Sequence, residues 1–253
     1  MVAATTLLAD GPALLAEPAP STVIADIDLG NAFGARSTWR FVASQEERTN
    51  DPSLAMDYSV TTVRFCLSKA GSNACVNGLQ ASPAGGDWGA RYLDVAKVVH
   101  PRGASAPPLL LLRTASNGAI SQGIYTQILA YRRAEDTFVQ VYGQVAGRNN
   151  NGEIRFIASG PLAGDVISAE ATSNRPYAYW ITVNRLTPDY TYKQVLRYRS
   201  VTGYADGNGL AVIDSEMPSI QKRLGLWRSG SPIPTPSGSC PKPRLVRMEL
   251  WCN

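Results

Sequence analysis

Histidine is nearly missing from this sequence: His100 is the one imidazole in 253 residues. Cysteine is limited to four residues, and none falls in a Cys-x-x-Cys spacing. A zinc site of the Cys/His kind therefore lacks ligands. A Ser-His-Asp triad would have to run through His100, which precedes Pro101 at a predicted strand end and reads as structural. There is no Gly-x-Ser-x-Gly elbow to hold a nucleophile. There is also no Gly-rich loop that follows a strand and opens a helix, so an ordinary phosphate-cofactor site is not expected. No apolar run reaches the roughly 18 residues that a membrane-spanning helix needs.

Basic residues are absent before Arg36, while the same stretch carries Asp10, Glu17, Asp26 and Asp28. The basic start of a signal peptide is missing, so this stretch reads as a mature N-terminus left after a secretory or lipoprotein leader. Peripheral or lipid-anchored attachment to a membrane stays compatible with that reading. The net charge of +4 comes without a run of consecutive Lys or Arg or a nucleic-acid motif. A nucleic-acid partner is not expected; a protein or an anionic glycan of the envelope accounts for the charge as well.

The cysteines that are present form two close pairs, Cys66 with Cys75 and Cys240 with Cys252. Near-neighbour closure staples two short loops, each contributing about 2–3 kcal/mol. Such bonds persist in an oxidising compartment, so the expected location is periplasmic or secreted. A hydrophobic fraction of 44% supports a real core, and 22 Gly and 17 Pro fit many short strands joined by turns.

One stretch is written twice. Tyr125-Thr126-Gln127-Ile128-Leu129-Ala130-Tyr131-Arg132 returns 67 residues later as Tyr192-Lys193-Gln194-Val195-Leu196-Arg197-Tyr198-Arg199, with six of eight positions kept in type. Such self-similarity indicates one supersecondary unit used more than once. Each copy reads as the second strand of a hairpin, within residues 109–133 and 177–199. Period-2 patterns rich in β-branched and aromatic residues predict further strands over 38–43, 60–67, 91–99 and 166–171. Residues 137–145 and 153–159 read as a hairpin across the Asn151-Gly152 turn. One short helix is predicted over 217–224, with Asp214 or Ser215 as cap, Pro218 in its first turn and Gly225 after its last.

The expected fold is all-β: antiparallel hairpin repeats forming a β-sandwich or a small propeller-like array, with that one short helix. The expected organisation is an extended leader over 1–35, a β domain over 36–228 containing the duplication, and a Pro-rich link with a disulfide-stapled C-terminal strand over 229–253.

Two clusters carry the candidate chemistry. Tyr and Arg crowd residues 175–204, and such side chains dominate interface energetics. Arg175, Tyr190, Arg197, Arg199 and Tyr204 are the candidate partner-binding residues. Asp206, Asn208, Asp214 and Glu216 offer oxygen ligands near a Gly-rich turn, as a Ca²⁺ site requires. An EF-hand is excluded by the spacing, and a turn with a helix cap explains the same residues. The sequence is thus read as a non-enzymatic secreted or envelope protein that recognises another macromolecule, as an assembly subunit, inhibitor or immunity-type protein does. The alternative is an extracellular glycan or cell-wall hydrolase, calcium-dependent through that cluster, with Asp214 and Glu216 as its carboxylate pair.

Overall fold

The structure, a computed structural model, describes residues 21–46, 49–50, 59–60, 62–72, 74–76, 79–81, 90–101, 103, 106–117, 122–147, 152–203, 207–236 and 240–252. It is mainly antiparallel β. Sheet I joins β1 (Ser21–Asp28), β2 (Trp39–Glu46) and β5 (Val63–Lys69) in the order β1-β2-β5. A two-residue pair, β3 (Thr49–Asn50) and β4 (Ser59–Val60), lies between β2 and β5 in the chain. Sheet II is a four-stranded meander of β6 (Tyr92–Val99), β7 (Leu109–Asn117), β8 (Gln122–Arg132) and β9 (Thr137–Gly147). Sheet III repeats the pattern with β10 (Gly152–Phe156), β11 (Val166–Ala171), β12 (Tyr179–Leu186) and β13 (Tyr192–Arg199).

The sheets stack face to face, and β7 shows why. Its start, Leu109-Leu110-Leu111-Leu112, is buried throughout. Because successive side chains of a strand point to opposite faces, four leucines in a row serve two cores at once. Leu110 and Leu112 pack with Leu129 and Phe138 against Trp39, Phe41 and Leu67 of sheet I. Leu109 and Leu111 pack with Ile128 and Ala130 against Ile154, Val166 and Leu186 of sheet III. Sheet III then turns Ile167, Ile181, Val183 and Tyr198 to helix α2 (Val212–Arg223), which supplies Ile213, Met217 and Ile220. The result is an open array of stacked meanders closed at one end by a helix.

Several local readings change. The 137–159 segment is not a hairpin: β9 belongs to sheet II and β10 to sheet III, and the predicted turn over 149–151 lies outside the described residues. Of the stretch read as a leader, residues 21–28 pair as β1 with β2, and 29–33 form helix α1 (Leu29–Phe33). Asp28 caps α1 by accepting from the Asn31 N–H at 3.3 Å, and Gly34 ends it at φ +54°. Leu29 and Phe33 are buried beneath sheet I, which fixes α1 to the domain.

Helix α2 begins five residues before the predicted start, at Val212, so Pro218 lies in its interior and not its first turn. Its N-terminus is capped from outside, by the Glu153 carboxylate accepting the Ile213 N–H at 3.3 Å. The C-terminal strand is a hairpin, β14 (Pro243–Val246) with β15 (Glu249–Cys252), turning on Arg247 (φ +54°) and Met248 (φ +76°). Both predicted disulfides are formed, each with Cα atoms 4.9 Å apart.

The two copies of the duplicated octapeptide occupy different places. β8 is the third strand of sheet II and has β9 beyond it; β13 is the fourth strand of sheet III and forms its edge. Pairing of β8 with β7 is unbroken, so Tyr125 and Tyr131 share a face. In β13 a bulge at Val195 interrupts the alternation. Tyr192 therefore packs toward sheet II while Tyr198 packs toward α2. Sheets II and III are both four-stranded meanders, and the octapeptides fall one strand apart in their order.

Candidate functional site

The outer end of the β12–β13 hairpin, away from its turn, gathers the aromatic and basic side chains of the 175–204 segment. Register puts Trp180 opposite Arg199 and Thr182 opposite Arg197 on one face. The Arg197 guanidinium lies 5.2 Å from the Trp180 ring centroid, a cation–π contact. Arg199 donates from Nη2 to the carbonyls of Asn174 (3.1 Å) and Pro176. That clamp draws the loop before β12 against the strand, and the loop carries Arg175, 5.9 Å from the Tyr177 ring. Thr172 braces the loop base, its Oγ1 accepting from the Ala178 N–H at 3.0 Å. Tyr177 is 48% and Trp180 39% exposed.

The cations of this face are held by rings and carbonyls. Ion pairs among the described residues engage Arg40, Arg64, Lys69, Arg113, Arg155 and Arg185. Arg175, Arg197 and Arg199 contact aromatic rings or carbonyls, with no carboxylate in salt-bridge range among the described residues. Glu170 sits beside Trp180 across the strands and accepts from Gln144 Nε2 at 2.8 Å. The face thus joins cationic and aromatic side chains on paired strands.

Two predicted members of the cluster do not join it. Tyr190 sits in the β12–β13 turn at φ +57°, at the opposite end of the hairpin. Its hydroxyl donates to the Pro107 carbonyl at 2.7 Å, and Arg132 Nη1 donates to the Asp189 carbonyl at 2.9 Å, so this turn fastens sheet III to sheet II. Tyr204 lies outside the described residues. Trp180 and Tyr177, by contrast, complete the face. Their crowding is visible in the sequence, but their alignment with Arg199 and Arg197 depends on strand register.

Three of the four oxygen donors proposed for Ca²⁺ are engaged by protein groups. Asp206 lies outside the described residues. Asn208 Oδ1 accepts from the Leu210 N–H at 3.2 Å, and its Nδ2 donates to the Leu250 carbonyl at 2.6 Å and Ser215 Oγ at 2.8 Å. Asp214 pairs with Arg155, which also takes Glu153. Glu216 is fully buried, and one oxygen accepts from the N–H groups of Val201 (2.9 Å) and Thr202 (2.8 Å) and from Thr202 Oγ1 (2.8 Å). Its other oxygen accepts from the Tyr198 hydroxyl at 2.8 Å. Among the described residues no group of three or more His, Cys, Asp or Glu is arranged to hold a metal. The hydrolase pairing of Asp214 and Glu216 meets the same obstacle: they lie on a helix, where two positions apart means roughly opposite sides at 3.6 residues per turn. A strand would have aligned them.

One dense polar cluster escapes sequence reading. Asp136, at φ +46° in the β8–β9 turn, accepts from Ser37 Oγ, Lys69 Nζ (2.8 Å), Trp39 Nε1 (3.0 Å) and the Tyr131 hydroxyl (2.7 Å). Lys69, then Ser37 and Tyr131, hold its carboxyl well below the usual carboxylate range, against an opposing contribution from burial. With both oxygens occupied, Asp136 clasps sheet I to sheet II and has no lone pair placed for base chemistry. A groove of about 840 Å³ runs beside it along the outer face of sheet I, past Asp26, Arg40 and Ser68.

No helix among the described residues is long and apolar enough to cross a membrane. No protein family, curated protein or solved structure matches this chain.

Proposed function

We propose that this chain is a non-enzymatic binding protein of an oxidising compartment, secreted or periplasmic, that holds another macromolecule of the envelope through the part of sheet III's sheet II-side face that sheet II leaves uncovered. The observation that carries the reading is the convergence of Arg175, Tyr177, Trp180, Arg197 and Arg199 on one rigid surface with its cations unneutralised. Exposed aromatics beside arginines supply large contact area at low entropic cost, and such residues dominate binding energy once a partner excludes water. The two disulfides support the compartment, since they resist reduction only where the surroundings are oxidising.

The test is quantitative capture from an envelope extract. Wild type and the double variant Trp180→Ala, Arg197→Ala are immobilised, and retained macromolecules, proteins and glycans alike, are compared. The expected result is a component that wild type retains and the double variant loses, corresponding to about 1–3 kcal/mol per truncated anchor. Tyr190 is the wrong residue to truncate, because its hydroxyl holds the sheet II–sheet III junction. Equal retention by both proteins moves the interface elsewhere, first to the basic C-terminal hairpin around Arg244 and Arg247.

A further inference from the structure

We infer that the occupant of the Trp180–Arg197 face is an acidic glycan, a polysaccharide whose sugar rings carry carboxylate groups; this rests on the reading of that face as the binding surface. The charge complement comes first. Arg175 and Arg197 present guanidinium groups whose described contacts are aromatic rings, so an incoming anion displaces no resident carboxylate. Guanidinium groups bind carboxylates through two parallel N–H···O bonds, which makes planar anions the favoured counterpart.

The shape of the sheet decides between glycan and acidic peptide. An extended peptide gains most from a sheet by adding as a further strand along a free edge. β13 is that edge, and it is protected: Lys193 is exposed on it, and the bulge at Val195 breaks its regular ladder. Charges and bulges at edges oppose strand addition. A polysaccharide needs no backbone ladder. Its sugar rings offer C–H faces that lie flat on Trp180 and Tyr177, and its carboxylates reach the arginines beside those rings. Two aromatic rings, each with a guanidinium beside it, match a chain in which every ring carries both an apolar face and an anion.

The experiment is calorimetric titration of the full chain, disulfides intact, with three polymers: polygalacturonate, neutral dextran and polyglutamate. Polygalacturonate is expected to bind, more weakly as salt rises, because exposed charges are screened. Dextran is expected not to bind, and polyglutamate to bind well below polygalacturonate. Trp180→Ala should weaken polygalacturonate binding about tenfold. Arg197→Lys should weaken it too, since the charge stays but the planar fork is lost. Arg64→Ala, an exposed cation on sheet I, should change nothing.

Two results overturn the inference. Absence of polygalacturonate binding at low salt removes it. Equal binding of polyglutamate and polygalacturonate, untouched by Trp180→Ala, makes the face a plain charge patch suited to an acidic protein. Neither result decides the binding-protein reading, which the extract capture tests without assuming a ligand chemistry.

Discussion

Sheets II and III are built alike, as four-stranded meanders, yet they live in different surroundings. Sheet II is covered on both faces by neighbouring sheets; sheet III is covered by sheet II on part of one face and by α2 on the other. The near-identical octapeptides show the consequence at single positions. Gln127 is 1% exposed in β8, and its counterpart Gln194 is exposed in β13. Ile128 is fully buried and Val195 is 42% exposed. The same local chemistry supplies core in one sheet and surface in the other, because burial is set by what stacks on a strand. The bare region of sheet III is where Trp180, Arg197 and Arg199 come together.

The largest effect expected in this comparison concerns how sheet III is closed. Glu216→Ala would strand two backbone N–H groups and two hydroxyls in a buried site, and should cost about 3–5 kcal/mol. Thermal and urea melts measure it; a loss below 1 kcal/mol would mean the carboxylate is not what ties α2 to the end of β13. The next effect is a matched pair. Ile128→Ala should cost about 2–5 kcal/mol by leaving a cavity, and Val195→Ala no more than about 0.5 kcal/mol. Equal losses in denaturant titration would collapse the distinction between the two sheets.

Alkaline pH probes the two interfaces of sheet III with a smaller effect. Burial, then the charge of Glu170, raises the Tyr142 pKa; burial, then Glu216, raises that of Tyr198, with Arg223 opposing. Both hydroxyls keep their protons when folded, while an unfolded tyrosine ionises near pH 10. The stability they contribute is therefore complete below about pH 10 and declines above it, by about 1.4 kcal/mol per pH unit for each tyrosine. Tyr198→Phe should halve that slope, which pH-dependent melts would show. Asp136 acts in the opposite direction: its lowered pKa means its contribution is present above the unfolded value near 4 and is lost as pH falls below it. Asp136→Asn should flatten the acid limb. The smallest effect expected is that of calcium. With Asp214 and Glu216 engaged by protein donors, the melting temperature should be the same with Ca²⁺ as with chelator. A rise of several degrees would restore a site that draws on Asp206.

Much of the fold is legible because it is local. The strands at 63–69, 92–99, 109–117, 166–171 and 179–186 follow from β-branched and aromatic alternation; that the four leucines of β7 serve two cores follows from the stacking of sheets. What escaped reading has specific causes. The β14–β15 hairpin turns on Arg247 and Met248, both at positive φ, where a two-residue turn ordinarily signals itself with Asn or Gly. The start of α2 is hidden because its cap comes from Glu153, 60 residues earlier. Asp136 looks like any turn residue, since three of its four donors, Ser37, Trp39 and Lys69, are 67 to 99 positions away.

The amino-acid sequence by itself determined the all-β class, the two disulfide staples and the crowding of arginine and aromatic residues near position 180. These depend on side-chain periodicity, short loop closure and composition, which need no knowledge of neighbours. Tertiary structure alone decided that the two octapeptides occupy different strand positions, that Asp214 and Glu216 bond to protein partners, and that Arg197 meets Trp180 while Tyr190 does not. Each of those depends on register, bulges and the stacking of layers. They are long-range choices, made where one strand's face meets another sheet.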